Sequence, residues 1–599
     1  MKYFFTFFIL LTVLSGTAQD GTMDITFGSS GKRSVSFSQP VAPDHQKVIA
    51  GYGEKILQCF SISNGINNDF GLARYNQDGS LDPGFGSGGL IQTDFGGNET
   101  ATSMMVASGG KIIVGGFSVS TSTGIGVFAM ARYLPGGALD PGFGTGGKVV
   151  TSIGSDAFAY SLNIQRDGKI ILAGFCNTGS GYVFALVRYS ANGALDGTFG
   201  TGGRVTTSFA GVADAAYGTL IQNDDKIVVV GGSSDGNTSA FAVARYLPLN
   251  GALDPGFDGD GKATVVIGAA ASNWDVAHSV IIDTSGSLVL AGSTLNGSNS
   301  DFALARFTKT GVLDLSFKGN GKVVTDFGGG LDNSYAIAIQ SDGKYLVSGE
   351  ASNGTDQDFI VARYNHTGDL DEQFGVGNLG YTLIDFGGED YGYSMSSQGT
   401  NLLIGGTAGT GLGLARLVNS SVVLPLSFSS FIATKGTEKV LLNWQTSQEN
   451  NTGYFEVQRS SDGVHFVAIG SVRVKDLSEN SGNYSFTDLD PSNVNFYRIK
   501  MINTGSASVF SRTVLIRFDV KVQGLHLFPN PVKDHLNIQL TAPAGKQRIV
   551  LMDVNGRILV QKELVSTGTL ISTSLDMSSL QKGIYFLRAN EELVKVVKD

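Results

Sequence analysis

The chain has 599 residues, 52 acidic against 42 basic side chains and a formal net charge of −10. It is too long for one hydrophobic core, so several domains are expected. Its acidic balance excludes the Lys/Arg clusters that nucleic acid requires and a polybasic patch for anionic lipid. Charged residues make up only 16%, and 83 glycines are about twice the usual share of ~7%. With many Val, Ile, Phe and Tyr, this composition implies short strands joined by tight turns, an all-β chain.

The N-terminus reads MKYFFTFFILLTVLSGTAQ. Lys2, an apolar run from Tyr3 to Leu14 and the small residues Gly16-Thr17-Ala18 form the pattern of a secretory signal peptide over 1–18. The run is shorter than the ~20 residues of a spanning helix. No later segment is apolar enough to span, so no transmembrane segment is expected in the mature chain. Cys59 and Cys176 fall in different, non-adjacent repeats, so a disulfide is not expected.

From residue 19 to 420 the sequence repeats. LDPGFGSGGLIQ from 81 returns as LDPGFGTGGKVV from 139 and LDGTFGTGGRVT from 195. The Asp of this phrase stands at Asp24, Asp82, Asp140, Asp196, Asp254, Asp314 and Asp371, 56–60 residues apart. Three residues later comes Phe27, Phe85, Phe143, Phe199, Phe257, Phe317 or Phe374. A second phrase, FALARY or close to it, carries Arg74, Arg132, Arg188, Arg245, Arg306, Arg363 and Arg416. In the third copy four strands are predicted: 148–154, 159–165, 169–175 and 183–189, with a hairpin turn at Asp167-Gly168.

Four short antiparallel strands per ~40–60 residues are the signature of a propeller blade, and seven copies predict seven blades. Residues 32–37 would complete the last sheet beside 412–418, joining the two ends of the ring. The phrase itself reads as a structural clip. Asp-Pro-Gly at 82–84, 140–142 and 254–256 suits a type II turn with Gly at positive φ, and the Phe is an apolar plug. The glycine before each outer strand (Gly31, Gly89, Gly147, Gly203, Gly261, Gly321) is expected to be left-handed, with Asn378 at that place in the seventh copy.

These elements, LDxxFGxxG, DGKI and ALARY, resemble the delta-60 repeat of bacterial surface and secreted proteins over residues 20–418. The resemblance implies a β-propeller-like fold and no general activity. Residues 424–519 carry six or seven further strand patterns around Trp444, a β-sandwich that resembles a fibronectin type III-like module. The segment 525–599 resembles the type A C-terminal sorting domain of the type IX secretion system, itself a small β-sandwich. Pro529-Asn530-Pro531, Asp553 with Gly556, and Gly583-Ile584-Tyr585 carry that likeness. It implies a Bacteroidota-type cell, handling by the secretion machinery and its sortase, and release or attachment at the outer-membrane surface.

Chemical motifs are sparse. Gly84–Gly89 and Gly142–Gly147 satisfy GxGxxG, but a strand follows where a dinucleotide site needs a helix. Gly232–Gly236 satisfies GxSxG without a helix or a nearby His; the ring holds only His45, His278 and His366. No catalytic or cofactor-binding residue is therefore nominated, and no Cys/His set has zinc spacing. Three loops, NGINNDF, NGSNSDF and NGTDQDF, place oxygen-bearing side chains at Asn64, Asn67, Asp69, at Asn296, Asn299, Asp301 and at Asn353, Asp356, Asp358, a composition calcium accepts, though the spacing is not that of an EF-hand and a solvated turn accounts for it as well. Trp274 is the ring's sole Trp, a candidate sugar-stacking residue if exposed and a core residue if buried between blades. The sequence predicts a non-enzymatic binding or adhesion scaffold for an extracellular glycan or protein. The alternative is a polysaccharide-acting hydrolase or lyase on the same ring, marked by one asymmetric acidic and aromatic pocket.

Overall fold

The computed structural model describes residues 19–599, apart from 43–45, 51–54, 210, 223, 269–273, 298, 399–400, 421–422, 425–426, 438, 448–451, 464, 474–480, 504–507, 512, 519–524, 543–544, 567–569 and 591. Residues 1–18, expected from the sequence to be a signal peptide, and His45 lie outside the described residues. Among those described, the chain is β-strand and turn, with one short 3-10 turn at Ser108–Gly110. Among the described residues no helix is long and apolar enough to cross a membrane.

Each repeat folds as an antiparallel four-stranded unit. In the third, Asp156–Ile164 pairs with Ile170–Asn177, which pairs with Tyr182–Tyr189, which takes Arg204–Thr207 as its outer strand. The outer strand thus comes from the chain just beyond the clip phrase. The middle strands are buried along nearly their whole length, which is why they read as unbroken apolar runs rather than alternating ones. The first, or inner, strands are Lys47–Ala50, Asn98–Val106, Asp156–Ile164, Ala213–Ile221, Val276–Ile282, Asn333–Gln340 and Asp390–Gln398. They lie against one another in chain order, and the last meets the first.

Successive units share cores. Ile171, Phe184 and Leu186 of one unit pack with Ala216, Val229 and Tyr246 of the next. The same packing joins the ends of the ring, where Phe27, Val48, Phe60 and Tyr75 meet Leu403, Leu412 and Leu414. Lys32–Val35 pairs with Gly411–Leu417 as the outer strand of the last unit. A second repeated bond ties neighbouring outer strands in: the Tyr of FALARY donates to a Thr of the preceding outer strand, as in Tyr133–Thr93, Tyr189–Thr151 and Tyr246–Thr207 at 2.8–2.9 Å.

The clip is one construction repeated. Arg188 Nε donates to Asp196 Oδ2 at 2.9 Å, its guanidinium sits 4.4 Å from the Phe199 ring centre, and it also donates to the Leu249 carbonyl of the next copy at 2.8 Å. The same Arg–Asp bond recurs from Arg74–Asp82 to Arg363–Asp371. Arg416 makes it with Asp24 at 2.8 Å across the chain ends. Every clip Phe is fully buried, worth roughly 1.5–3 kcal/mol each.

Two turn expectations are corrected. Gly84, Gly142 and Gly256 are not at positive φ, so Asp-Pro-Gly is not a type II turn. The Asp carboxylate instead accepts the backbone N–H two residues on, as Gly84 N to Asp82 Oδ1 at 3.1 Å, a conformation open to the Thr26, Thr198 and Ser316 that replace Gly in other copies. The counterpart of Gly89 in the seventh copy is Gly380, not Asn378. Gly89 N donates to the Phe85 carbonyl and Gly380 N to that of Phe374; two extra residues displace the alignment. Asn378 is left-handed as well, at φ 61°.

Downstream, Ser427–Lys435, Val440–Ser447 and Ser481–Asp488 form one sheet. Thr452–Ser460, Val467–Arg473 and Val494–Asn503, with Ser508–Phe510 and Val514–Arg517 on the last, form another. Both contribute to a core around Trp444 and Tyr497. The C-terminal unit is also two-sheeted. Leu525–Phe528, His535–Thr541 and Leu570–Asp576 face Gly545–Met552, Ile558–Ser566, Gly583–Ala589 and Glu592–Lys598 across one core.

Arg188 is 1% exposed, so Arg188→Ala is expected to leave Asp196 with Lys169 at 3.4 Å as its remaining cation, remove the charged hydrogen bonds of the guanidinium and cost about 1.5–3 kcal/mol in urea unfolding. Arg416→Ala should cost a comparable amount if the clip joining the ends matters as the internal ones do. A loss under ~1 kcal/mol in both would reduce the clip to an ordinary surface pair.

Candidate functional site

The two ends of the ring are chemically different. At one end lie the clips and the Asp-Gly turns; at the other lie the loops that enter the inner strands. We call these the clip end and the loop end. The clip end is uniform. The seven clip aspartates are held below the ordinary carboxylate range; Asp196 falls to about 2, through the Thr198 hydroxyl first and then, against burial, Arg188 and Lys169. Each clip aspartate is paired with its arginine, and residues 423–424 also pair with the inner strand Asn333–Gln340 at that end.

The loop end is not uniform. Where an outer strand turns into the next inner strand, a carboxylate clamps the turn: Asp214 accepts from Phe209 N at 2.9 Å, Asp275 from Ile267 N at 2.6 Å, and Asp332 from Phe327 N at 2.7 Å. Two further acids join this clamp in three places. Asp69, Asp94 and Glu99 form one cluster, Asp301, Asp326 and Asp332 a second, and Asp358, Asp385 and Asp390 a third. In each, the ligand oxygens lie within 4.8 Å of one another. Burial, with neighbouring acids adding like charge, pushes Asp332 and Asp390 up to about 6.

Of each loop triplet nominated from sequence, only Asp69, Asp301 or Asp358 reaches other carboxylates. The asparagines serve the loop itself. Asn64 Oδ1 accepts from Ile66 N and Asn67 N while its Nδ2 donates to Asp69 at 2.9 Å. Asn353 donates to Asp356 and to Asp358, and Asn299 donates to the Gly330 carbonyl at 2.9 Å. Asn67 bonds the Gly97 carbonyl, and Asn296 donates to Asp301 at 2.9 Å.

An aromatic belt crosses five consecutive inner strands. Tyr160, Tyr217, His278, Tyr335 and Tyr393 meet ring to ring at 4.9–5.2 Å. Each sits at a β-bulge, where the extra residue turns its side chain off the regular alternation. Nearer the loop end, Phe117, Phe158, Phe175 and Tyr182 form a second aromatic group on two neighbouring units. Beyond the far side of the belt stands Glu350, which accepts from Tyr335 Oη at 3.0 Å and Asn333 Nδ2 at 2.9 Å. Its Oε2 is buried without a partner. Burial pushes Glu350 up to about 7, with Glu389 and Asp332 adding like charge. Tyr391 Oη donates to Glu389 at 3.3 Å, and its ring stacks on Tyr393. Sequence inspection missed this group because the bulges break the period by which a strand face is read. Trp274 is 64% exposed beside the same end.

The other motifs are local structure. Gly86 and Gly144 lie in clips followed by strands. Ser234 ends the strand Ile227–Ser234, and another strand follows. Cys59 and Cys176 are both buried and form no disulfide with each other. In the C-terminal unit, Asn530 bridges to the strand Glu592–Lys598 through the Lys595 carbonyl and Val597 N, both 2.8 Å. Pro529 and Pro531 flank it. Asp553 accepts from Asn555 N and Arg557 N around left-handed Gly556. Gly583 opens its strand, and Tyr585 Oη donates to the Gln581 carbonyl at 2.7 Å.

Residues 526–599 match the secretion system C-terminal sorting domain family. Residues 59–85, 108–143, 165–199, 222–257, 284–317 and 340–374 match a β-propeller domain of unknown function (DUF5122). No curated protein matches. Among solved structures, the β-propeller domain of the Trilobed protease from Pyrococcus furiosus is 11% identical with a TM-score of 0.34, over 64% of this chain and 96% of that one. Penicillium chrysogenum α-L-arabinanase complexed with arabinobiose is 10% identical at 0.32, over 65% and 98%. An endo-arabinase from Bacteroides thetaiotaomicron is 12% identical at 0.25, over 50% and 100%. Likenesses this distant say nothing of what this chain does. The chain carries β-propeller repeats and a sorting domain, and the latter indicates type IX secretion to the cell surface or extracellular space.

Glu350→Gln tests the buried acid. With an ordinary value of 4.5 and a folded one of about 7, the folded state holds the proton longer, so wild-type stability falls as pH rises from about 4.5 to 7. The variant's advantage in urea midpoint is expected to grow over that window and to level off above it; a constant difference would show that Glu350 is not strained.

Proposed function

We propose that this protein is a glycan-binding scaffold displayed at or released from the cell surface. Its binding ring is a seven-bladed propeller over 19–420. A fibronectin type III-like spacer over 424–519 and a sorting domain over 525–599 follow, with 1–18 as signal peptide. The spacer's sheets of three and five strands support that reading, since they fall in the A-B-E and C′-C-F-G order of such sandwiches when Ser508–Phe510 and Val514–Arg517, which both pair with Val494–Asn503, are taken as two parts of the last strand. Handling by the sortase would remove the last unit and free or anchor the rest.

The observation that supports a glycan-directed role, by binding or by hydrolysis, is the asymmetry of the loop end. Aromatic faces along the belt, with Glu350, Asn333 and Glu389 gathered around its Tyr335 and Tyr393 part, suit a sugar chain, whose C–H faces pack on rings and whose hydroxyls bond to carboxylates and amides. A uniform structural ring would have no need of the difference. A second reading rests on Glu350 alone. A carboxyl near 7 is protonated often enough at neutral pH to serve as a general acid in glycoside hydrolysis, with a partner carboxylate across the bond.

Glycan and polysaccharide arrays with the full chain test both. Binding that falls at least tenfold in Tyr335→Ala and Tyr393→Ala, with no reducing ends released, is the expected result. Sugar release lost in Glu350→Gln would favour the hydrolase, and no binding to any glycan would sink both readings.

A further inference from the structure

The acidic clusters recur in a pattern that loop structure does not demand. Five residues before the FALARY arginine stand Asp69, Asp301 and Asp358 in three copies, but Val127, Val183, Ala240 and Gly411 in the others. The residue after the partner outer strand is Asp94, Asp326 or Asp385 in the same three, and Ser152, Ser208, Val266 or Ser36 elsewhere. The two acids therefore arrive together or not at all. Each pair adds to a clamp carboxylate already in place, so three like charges share a site where one suffices to close the turn. Such crowding raises the energy of the ionised state unless something positive lies among them.

In two of the clusters an oxygen is left waiting. Asp301 and Asp358 are 1% and 2% exposed. One oxygen of each accepts from Asn296 or Asn353 at 2.9 Å, and the other, Oδ1, is buried without a partner. The first cluster differs. Gln92 Nε2 donates to Asp69 Oδ2 at 2.8 Å, so both oxygens of Asp69 are satisfied by amides. The register puts Val324 and Leu383, which have no donor, where Gln92 stands. Lys32 adds positive charge near Asp358, and its amine bonds the Asp385 carbonyl; no such lysine faces Asp301 among the described interactions.

We propose that Asp301, Asp326 and Asp332 hold one calcium ion, that Asp358, Asp385 and Asp390 hold a second, and that Gln92 takes the cation's place in the Asp69, Asp94 and Glu99 cluster. Each site joins one unit's third strand to the turn into the next unit's inner strand, so the ion fastens neighbouring units at the loop end as the arginine does at the clip end. Calcium suits it better than magnesium. Clamp carboxylates fixed by backbone N–H groups cannot rearrange to a strict octahedron, and calcium accepts irregular sets of six to eight oxygens, water included.

Calorimetric titration of the chelator-treated full chain with calcium, into the ~10⁻⁴–10⁻³ M range of extracellular modules, should give two ions per chain. Asp326→Asn and Asp385→Asn should each remove one. Both side chains are exposed, and Asn keeps the oxygen that accepts from Gly328 N or Gly387 N, so the turns remain. Asp94→Asn should leave two ions, and Val324→Gln should remove the copy-five ion by supplying the missing amide. Calcium should raise the Tm of the wild type and not that of the double variant. No binding at millimolar calcium, unchanged stoichiometry in the double variant, a third ion lost with Asp94→Asn, or displacement by equimolar magnesium would each overturn the assignment. Glycan binding is read separately, so failure of either proposal leaves the other standing.

Discussion

The ring depends on a guanidinium that does three jobs at once. It bonds an aspartate of its own clip, lies over a buried phenylalanine, and reaches a backbone carbonyl of the next copy. A planar cation with donors in a fixed fork can do this, whereas a lysine would supply charge without the stacked face or the fork. Because the third contact crosses to the neighbour, each unit is ordered by the one after it. Arg416 and Asp24 apply the same rule to the chain ends.

That division of labour explains why one end is monotonous and the other varied. The clip end spends the repeated residues of the sequence on structure, and its aspartates are paired with arginines. At the loop end the turns are held by a single carboxylate each, which leaves the neighbouring positions open. Those positions carry acids at three junctions between units and uncharged residues at the other four. A ring built this way can alter what it presents at one end without disturbing the contacts that hold it together.

The units after the ring follow simpler logic. Each buries one two-sheet core, around Trp444 or around Leu536 and Leu587, and neither uses the clip. In the C-terminal unit the Pro-Asn-Pro segment is bound to an edge strand through both ends of the Asn530 amide. The motif residues there shape the surface of a small sandwich, a form that secretion machinery can recognise.

The all-β class, the copies of the clip, its Asp, Phe and Arg, and the sorting segment were legible in the sequence because each is a local pattern repeated or a contiguous motif. Even the turn error was avoidable: Thr26 and Ser316 in place of Gly already argue against positive φ. Gly380 was misaligned because an insertion is invisible without the Phe374 hydrogen bond. The acidic clusters and the aromatic belt were not legible. Asp69 and Asp94 are 25 residues apart and meet only through the pairing of a third strand with its outer strand. Tyr217 and His278 meet only because bulges on successive inner strands turn their rings toward each other. Local order determined what each repeat is made of; which side chains share a site was decided by register and by the packing of one unit on the next, and no single segment contains that information.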